Sequence, residues 1–160
     1  MNSAATAAVL PSWSSRLLIA VRENHPQPLF VSLATLALDG SPRNRTVVCR
    51  RIDEQYSRLF ICTSTESNKW KELERDSRFE ICWYFNETRE QFRFKGNRVE
   101  FFRVPQLEAQ AIWDEMSHSA RSLFNNISTG PNNIFGVIAF SPNEVELLNT
   151  NNGVITKWKL

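Results

Sequence analysis

A chain of 160 residues with 42% hydrophobic and 22% charged side chains has the composition of an ordinary globular protein, long enough to bury about two thirds of its unfolded surface. Its 19 basic and 17 acidic residues leave a net charge of only +2, a small excess for a dedicated nucleic-acid binder, whose affinity comes chiefly from counterion release. The three cysteines, Cys49, Cys62 and Cys82, lie in apolar runs with no CxxC and no histidine ligand nearby; they predict buried, reduced thiols, no metal site and a cytoplasmic setting. No apolar run reaches the length of a transmembrane helix, and no membrane partner is expected.

Residues 1–10 read as a loose leader ahead of a single domain over 11–160. Pro11-Ser12 offers a helix start, Trp13, Leu17, Leu18 and Val21 form an apolar stripe, and His25-Pro26-Gln27-Pro28 ends the helix. From Leu29, "LFVSLATLAL" is a β-rich run. Asp39-Gly40-Ser41-Pro42 is turn chemistry, and "RNRTVVCRR" returns, so 29–52 predicts a hairpin. Arg58 to Thr63 is a further short strand. In "TSTESNKWKELERD", Thr63 and Glu66 have capping-box spacing, with Ser64, Thr65 and Ser67 as other N-cap candidates; Trp70 and Leu73 supply the buried face of a helix. "FEICWYF" and "EQFRFKGNRVEFF" predict two antiparallel strands joined by a turn at 86–89. Pro105 opens a helix whose apolar positions are Ala109, Ile112, Trp113 and Met116. Past a Gly/Pro/Asn loop at 130–133, "IFGVIAFSP" and "EVELLN" are two closing strands. Many short antiparallel strands with few helices predict a mainly-β barrel with flanking helices.

Three stretches carry candidate chemistry. Residues 43–51 place four arginines around Val47-Val48-Cys49, and such a cluster calls for an anion opposite: partner carboxylates, a nucleic-acid backbone or a cofactor phosphate. Strand alternation puts Arg43, Arg45, Cys49 and Arg51 on one face and Asn44, Thr46 and Arg50 on the other. Ser67-Asn68-Lys69 opens a helix, where free N–H groups and the positive end of the dipole form a phosphate site; an ordinary cap with a solvated lysine is the plainer alternative. Gln91, Arg93 and Lys95 share a strand face opposite Phe92 and Phe94, and the Gln91 amide offers a donor and an acceptor to a heterocycle edge. His25 and His118 have no carboxylate or thiol at suggestive spacing, and no catalytic residue is assigned.

In order and spacing these elements resemble the FMN-binding split barrels typified by pyridoxine (pyridoxamine) phosphate oxidase. Arg45-Thr46-Val47-Val48-Cys49-Arg50 resembles that family's arginine-led strand, and Cys62-Thr63 its tyrosine–threonine pair. Ser67-Asn68-Lys69 resembles its Ser-Arg-Lys helix start and Arg89-Glu90-Gln91 its Glu-Arg-Gln motif, with no gap needed from Arg45 to Gln91. "EICWYFNETREQFR" is most similar to a poorly characterised branch. The resemblance implies a six- or seven-stranded antiparallel split barrel with FMN as cofactor. It further implies that Arg45 pairs the phosphate bidentately, Lys69 adds charge and Thr63 adds a hydroxyl. Gln91 would bond the ring edge while the Val47-Val48 backbone lines the ring face. Thr46, Arg50, Cys62, Ser67 and Asn68 belong to the same implied set, and a homodimer with FMN at its interface follows from the family.

The resemblance also has departures. Asn68 stands for an arginine, Cys62 for a tyrosine and Leu148 for a flavin-contacting tryptophan. "NGVITKWKL" stands where the family carries an arginine-containing strand and a terminal tryptophan segment. Trp113, Ser117 and Arg121 stand where the oxidase holds its substrate phosphate with a tyrosine, an arginine and a serine. The expectation is thus a flavoprotein oxidoreductase that has not kept the oxidase's substrate site. Two other readings stay open: a non-catalytic module holding FMN or another phosphate-bearing heterocycle, and a barrel binding single-stranded nucleic acid on the "FEICWYF" aromatics.

Overall fold

The Ser12 hydroxyl accepts from the Ser15 amide and starts α1 (Trp13–Glu23), which buries Trp13, Leu17 and Ala20. The computed structural model describes residues 12–26, 29–55, 57–124, 131 and 133–160. The expected leader over 1–10, Pro11, and Gly130 and Asn132 of the expected loop lie outside the described residues.

The hairpin forms as the sequence predicts, with β1 (Phe30–Leu36) against β2 (Pro42–Asp53). The Asp39 carboxylate accepts from the Ser41 amide and hydroxyl to close the turn. Then come β3 (Arg58–Ser64), α2 (Asn68–Arg75), β4 (Phe79–Phe85), β5 (Glu90–Gly96) and β6 (Arg98–Arg103). They are followed by α3 (Leu107–Glu115), α4 (His118–Ser122), β7 (Phe135–Ser141), β8 (Glu144–Asn149) and β9 (Ile155–Lys159). Among the described residues the nine strands make one antiparallel sheet ordered β6-β7-β3-β2-β1-β4-β5-β8-β9. Its curl follows from its core. Leu33 and Val31 of β1, Ile61 of β3, Ile81 and Trp83 of β4, Phe92 and Phe94 of β5, Phe140 of β7 and Val145 of β8 all join one apolar cluster, which Trp13 and Leu17 of α1 complete. A second, smaller cluster lies on the outer face, where Phe60, Phe102, Phe135 and Val137 meet Ile112, Trp113 and Met116 of the α3 segment.

The class is mainly β, a curled half-barrel with flanking helices, as expected, but the strand count is nine rather than six or seven. "EQFRFKGNRVEFF" is two strands, not one. It breaks at Asn97, where Gly96 packs so closely that a Cβ would meet the Phe79 ring at 2.8 Å. β5 then pairs with β4 and β8 while β6 leaves for β7. "ITKWK" adds β9 on β8. The α2 N-cap is Ser67, whose hydroxyl accepts from the Trp70 amide at 3.4 Å; Thr63, the expected capping-box residue, lies in β3. The expectation of three buried cysteines holds only for Cys49, since Cys62 and Cys82 are half-buried; all three are free thiols. In "FEICWYF", Phe79, Trp83 and Phe85 point into the core, so they form no stacking platform for a nucleic acid.

Candidate functional site

Strand β2 carries the site, and a bulge decides which way its arginines point. Cys49 pairs with Ile61 but Arg51 pairs with Phe60, so Arg50 is an extra residue in the ladder. A bulge resets the alternation of faces. Cys49 therefore packs with the inner core, whereas Arg51 turns outward with Phe60 and does not share the Cys49–Arg45 face expected from strict alternation. Outside, Arg51 meets Glu115 of α3 through two hydrogen bonds of 2.6 and 3.2 Å.

At the other end of β2, Arg45 lies beside Leu33 on the inner side, under the start of α2. Its guanidinium donates to Thr35 Oγ1 at 2.5 Å and to Glu72 Oε2 at 2.6 Å, and the Thr35 hydroxyl donates to the same carboxylate oxygen at 2.6 Å. Next to it, Lys69 Nζ donates to Thr63 Oγ1 at 3.0 Å, and the Thr63 hydroxyl donates to Ser67 Oγ at 3.1 Å. Burial and then the neighbouring Arg45 charge pull Lys69 below the usual lysine range, with Glu72 opposing. Two cations thus crowd around one buried carboxylate. The helix is held there by Gly136 of β7, where a Cβ would overlap the Trp70 ring of α2 and the Thr65 methyl. Asn68 lies to one side, lining a cavity of about 290 Å³ with Arg43, Lys71 and Glu72.

A larger cavity, about 630 Å³, opens on the outer face between β2 and the α3–α4 segment. Leu29, Phe30, Val48, Ile112, Met116 and Leu123 give it apolar walls, and Arg50, Glu115, Ser117 and Ser119 its polar points. The Arg50 guanidinium bonds the Cys62 thiol, whose sulfur is 3.8 Å from Met116 Sδ. Burial nevertheless pushes Cys62 up to about 11 and Cys49 up to about 12, so neither is a thiolate at neutral pH. Arg121 does not enter the cavity as an anion site. Its Nε and Nη2 bind the Trp113 and Asp114 carbonyls at 3.0 and 2.8 Å, closing the end of α3.

A sequence model of the pyridoxamine 5'-phosphate oxidase FMN-binding domain matches residues 10–101, more than half of the chain and every element from α1 into β6. The chain belongs to this family. Pyridoxine/pyridoxamine 5'-phosphate oxidase 2 of Arabidopsis thaliana is 42% identical over 90 residues, 55% of this chain and 45% of that protein. The pyridoxine/pyridoxamine 5'-phosphate oxidase of a Psychrobacter species is 29% identical over 89 residues, 56% and 39% of the two chains. The chain therefore matches less than half the length of these curated relatives. A pyridoxamine 5'-phosphate oxidase-related FMN-binding protein of Nostoc punctiforme has the same fold, with a TM-score of 0.79 over 95% of this chain and 98% of its own at 23% identity.

FMN is the cofactor of this oxidase-like domain family, and the α2 cluster fits its phosphate. Lys69 and Arg45 are short of negative charge, Thr63 and Ser67 add hydroxyls, and the first-turn amides of α2 point out of the helix. The structure brings Arg45, Thr63, Ser67 and Lys69 together, with Asn68 alongside. Val48 and Arg50 line the larger cavity, with Cys62 behind them against Arg50 and Met116; Thr46 is exposed on the outer face and Val47 packs against the inner core. Gln91 joins neither group. It lies on the outer face between Tyr84 and Leu148, three strands from Val48, or about 14 Å at the usual strand spacing. Two participants escaped the sequence reading. Glu72 carried a signal, three residues beyond Lys69 on one helix face; Thr35 carried none beyond its place in a strand.

Proposed function

We propose that this chain is the flavin-binding unit of an FMN-dependent oxidoreductase that works as a homodimer. The Arg45–Lys69–Thr63–Ser67 cluster carries the reading, because two half-buried cations sharing one carboxylate suit a phosphate dianion. With the phosphate there, the ring lies along the backbone of residues 47–49 toward Arg50, which is about 16 Å further up the strand. Bound FMN supplies hydride or electron transfer, while the protein supplies position, charge and exclusion of water. The homodimer is supported by an outer row that runs from Val48 and Phe30, through Tyr84 and Gln91, to Leu148 and Ile155. Phe30 is 57% and Ile155 53% exposed. Covering this row with a second copy would bring that copy's Gln91 toward the ring edge that Gln91 of the same chain is too far away to reach. The free thiols support a reducing, cytoplasmic setting; no described helix is long and apolar enough to cross a membrane. Oxidation of the oxidase's own substrate is not part of the proposal, since Trp113 is buried, Arg121 closes α3 and Ser117 caps α4.

The visible spectrum of the purified protein, with and without added FMN, tests this reading. Bound flavin bands are expected, with affinity falling at least about 100-fold in Arg45→Ala/Lys69→Ala, since two charge-assisted contacts go. A folded wild-type protein that takes up no FMN, or a double mutant that binds as well as wild type, would sink it.

A further inference from the structure

The 630 Å³ cavity has a charge pattern that names a ligand class. Three arginines reach this part of the outer face, and two are already committed. Arg51 is held by the Glu115 carboxylate and Arg121 by the α3 carbonyls. Arg50 remains, with a thiol as its neighbour and, among the described residues, no carboxylate within ion-pair distance. Around it the walls are Leu29, Phe30, Val48, Ile112, Met116 and Leu123. The size lies within the usual range for small-molecule pockets, and an apolar wall with one converging cation sets orientation as well as affinity.

We propose that this cavity binds a small apolar monocarboxylate, an aromatic acid in particular, as the substrate beside the flavin, with Arg50 pairing its carboxylate. A phosphate ester is the wrong match. A dianion would meet one free guanidinium, because Arg51 and Glu115 offset each other and add no positive charge, whereas a monoanion is neutralised by Arg50 alone. The planar, weakly hydrated guanidinium is also the cation best suited to a carboxylate in apolar surroundings. Met116 gives the wall a polarizable, adaptable surface for a flat ring. The role of substrate rests on the FMN reading; the ligand class does not.

Benzoate and phenyl phosphate are the probes, titrated by calorimetry into both the FMN-loaded and the FMN-free protein, with flavin absorption followed in the loaded form. Benzoate should bind at least about fivefold more tightly than phenyl phosphate and perturb the flavin bands. Arg50→Gln, checked for native circular dichroism, should weaken benzoate at least about tenfold, the loss of one charge-assisted pair. Silence toward benzoate, tighter binding of phenyl phosphate, or benzoate binding unchanged in Arg50→Gln overturns the proposal. So does benzoate that displaces FMN, because the cavity would then be the ring's own seat. A protein that takes up no FMN but binds benzoate through Arg50 defeats the flavoenzyme reading and leaves the ligand class standing.

Discussion

At one end of β2, Arg45 stands among Lys69, Thr35, Thr63 and Ser67 with Glu72 as the single buried counter-charge. At the other end Arg50 stands against a thiol, in a cavity of mainly apolar walls whose other polar points are Ser117, Ser119 and the Glu115 carboxylate that Arg51 already pairs. On the proposed function, the same side chain does different work because its company differs. Many hydroxyls and a second cation make a place for a doubly charged group, while one cation in apolar surroundings makes a place for a singly charged one. Composition alone hides this, since all four arginines of 43–51 look alike in the sequence.

The sharpest way to separate the two ends is to move α2 without touching β2. Gly136→Ala pushes a methyl into the Trp70 ring; it should cost about 2–3 kcal/mol in urea unfolding and weaken FMN about tenfold through lost alignment, while benzoate affinity stays within about twofold. Equal losses at both sites would show that the ends are not independent.

A pH series acts on the opposite end. Burial raises the Cys49 thiol from 9.0 to about 12, so the folded state keeps a proton that the unfolded chain releases above pH 9. Stability from this group is complete below that pH and is lost as pH rises toward about 12. Between pH 8 and 10.5 the wild type should lose about 2 kcal/mol more than Cys49→Ala, measured as the difference between their unfolding free energies. A parallel decline of the two proteins would contradict this.

The smallest effect sharpens the charge argument. Glu72→Gln keeps an acceptor for Arg45 and Thr35 but removes the carboxylate charge. It should cost about 1 kcal/mol of stability while tightening FMN about fivefold. Opposite signs for stability and affinity are the signature to seek in paired denaturation and fluorescence-quenching titrations. Weaker FMN binding in Glu72→Gln would mean that the carboxylate orients Arg45 more than it competes with the phosphate.

Much of this was legible in the sequence, for identifiable reasons. The stripe of α1, the hairpin and the Ser67 helix start are local patterns, and local physics governs them. The in-and-out alternation of Phe92, Arg93 and Phe94 was readable for the same reason, and it survives as buried, exposed, buried. What failed depended on distant partners. Gly96-Asn97 was the available breaker in "EQFRFKGNRVEFF", and the apolar phase shifts across it from Phe92 and Phe94 to Val99 and Phe101, but only the pairing of β5 with β8 and of β6 with β7 shows that the chain changes partners there. The Arg50 bulge has no signature in β2 itself, because it exists only in the pairing with β3. Arg121 stands where the oxidase holds its substrate phosphate, and the end of the preceding helix claims it instead.

The bulge also limits how the chain can change in length. Deleting Arg50 would restore strict pairing of β2 with β3 and leave every later side chain on its present side, Arg51 still opposite Phe60 and Ile52 still opposite Leu59. Only the guanidinium that lines the outer cavity would go. A deletion that took Arg51 as well would set Ile52 opposite Phe60 and turn it out of the core. Between relatives, a single-residue gap should therefore be tolerated at Arg50 and a two-residue gap at 50–51 should be rare, so this segment offers a fixed point for placing more divergent sequences in register.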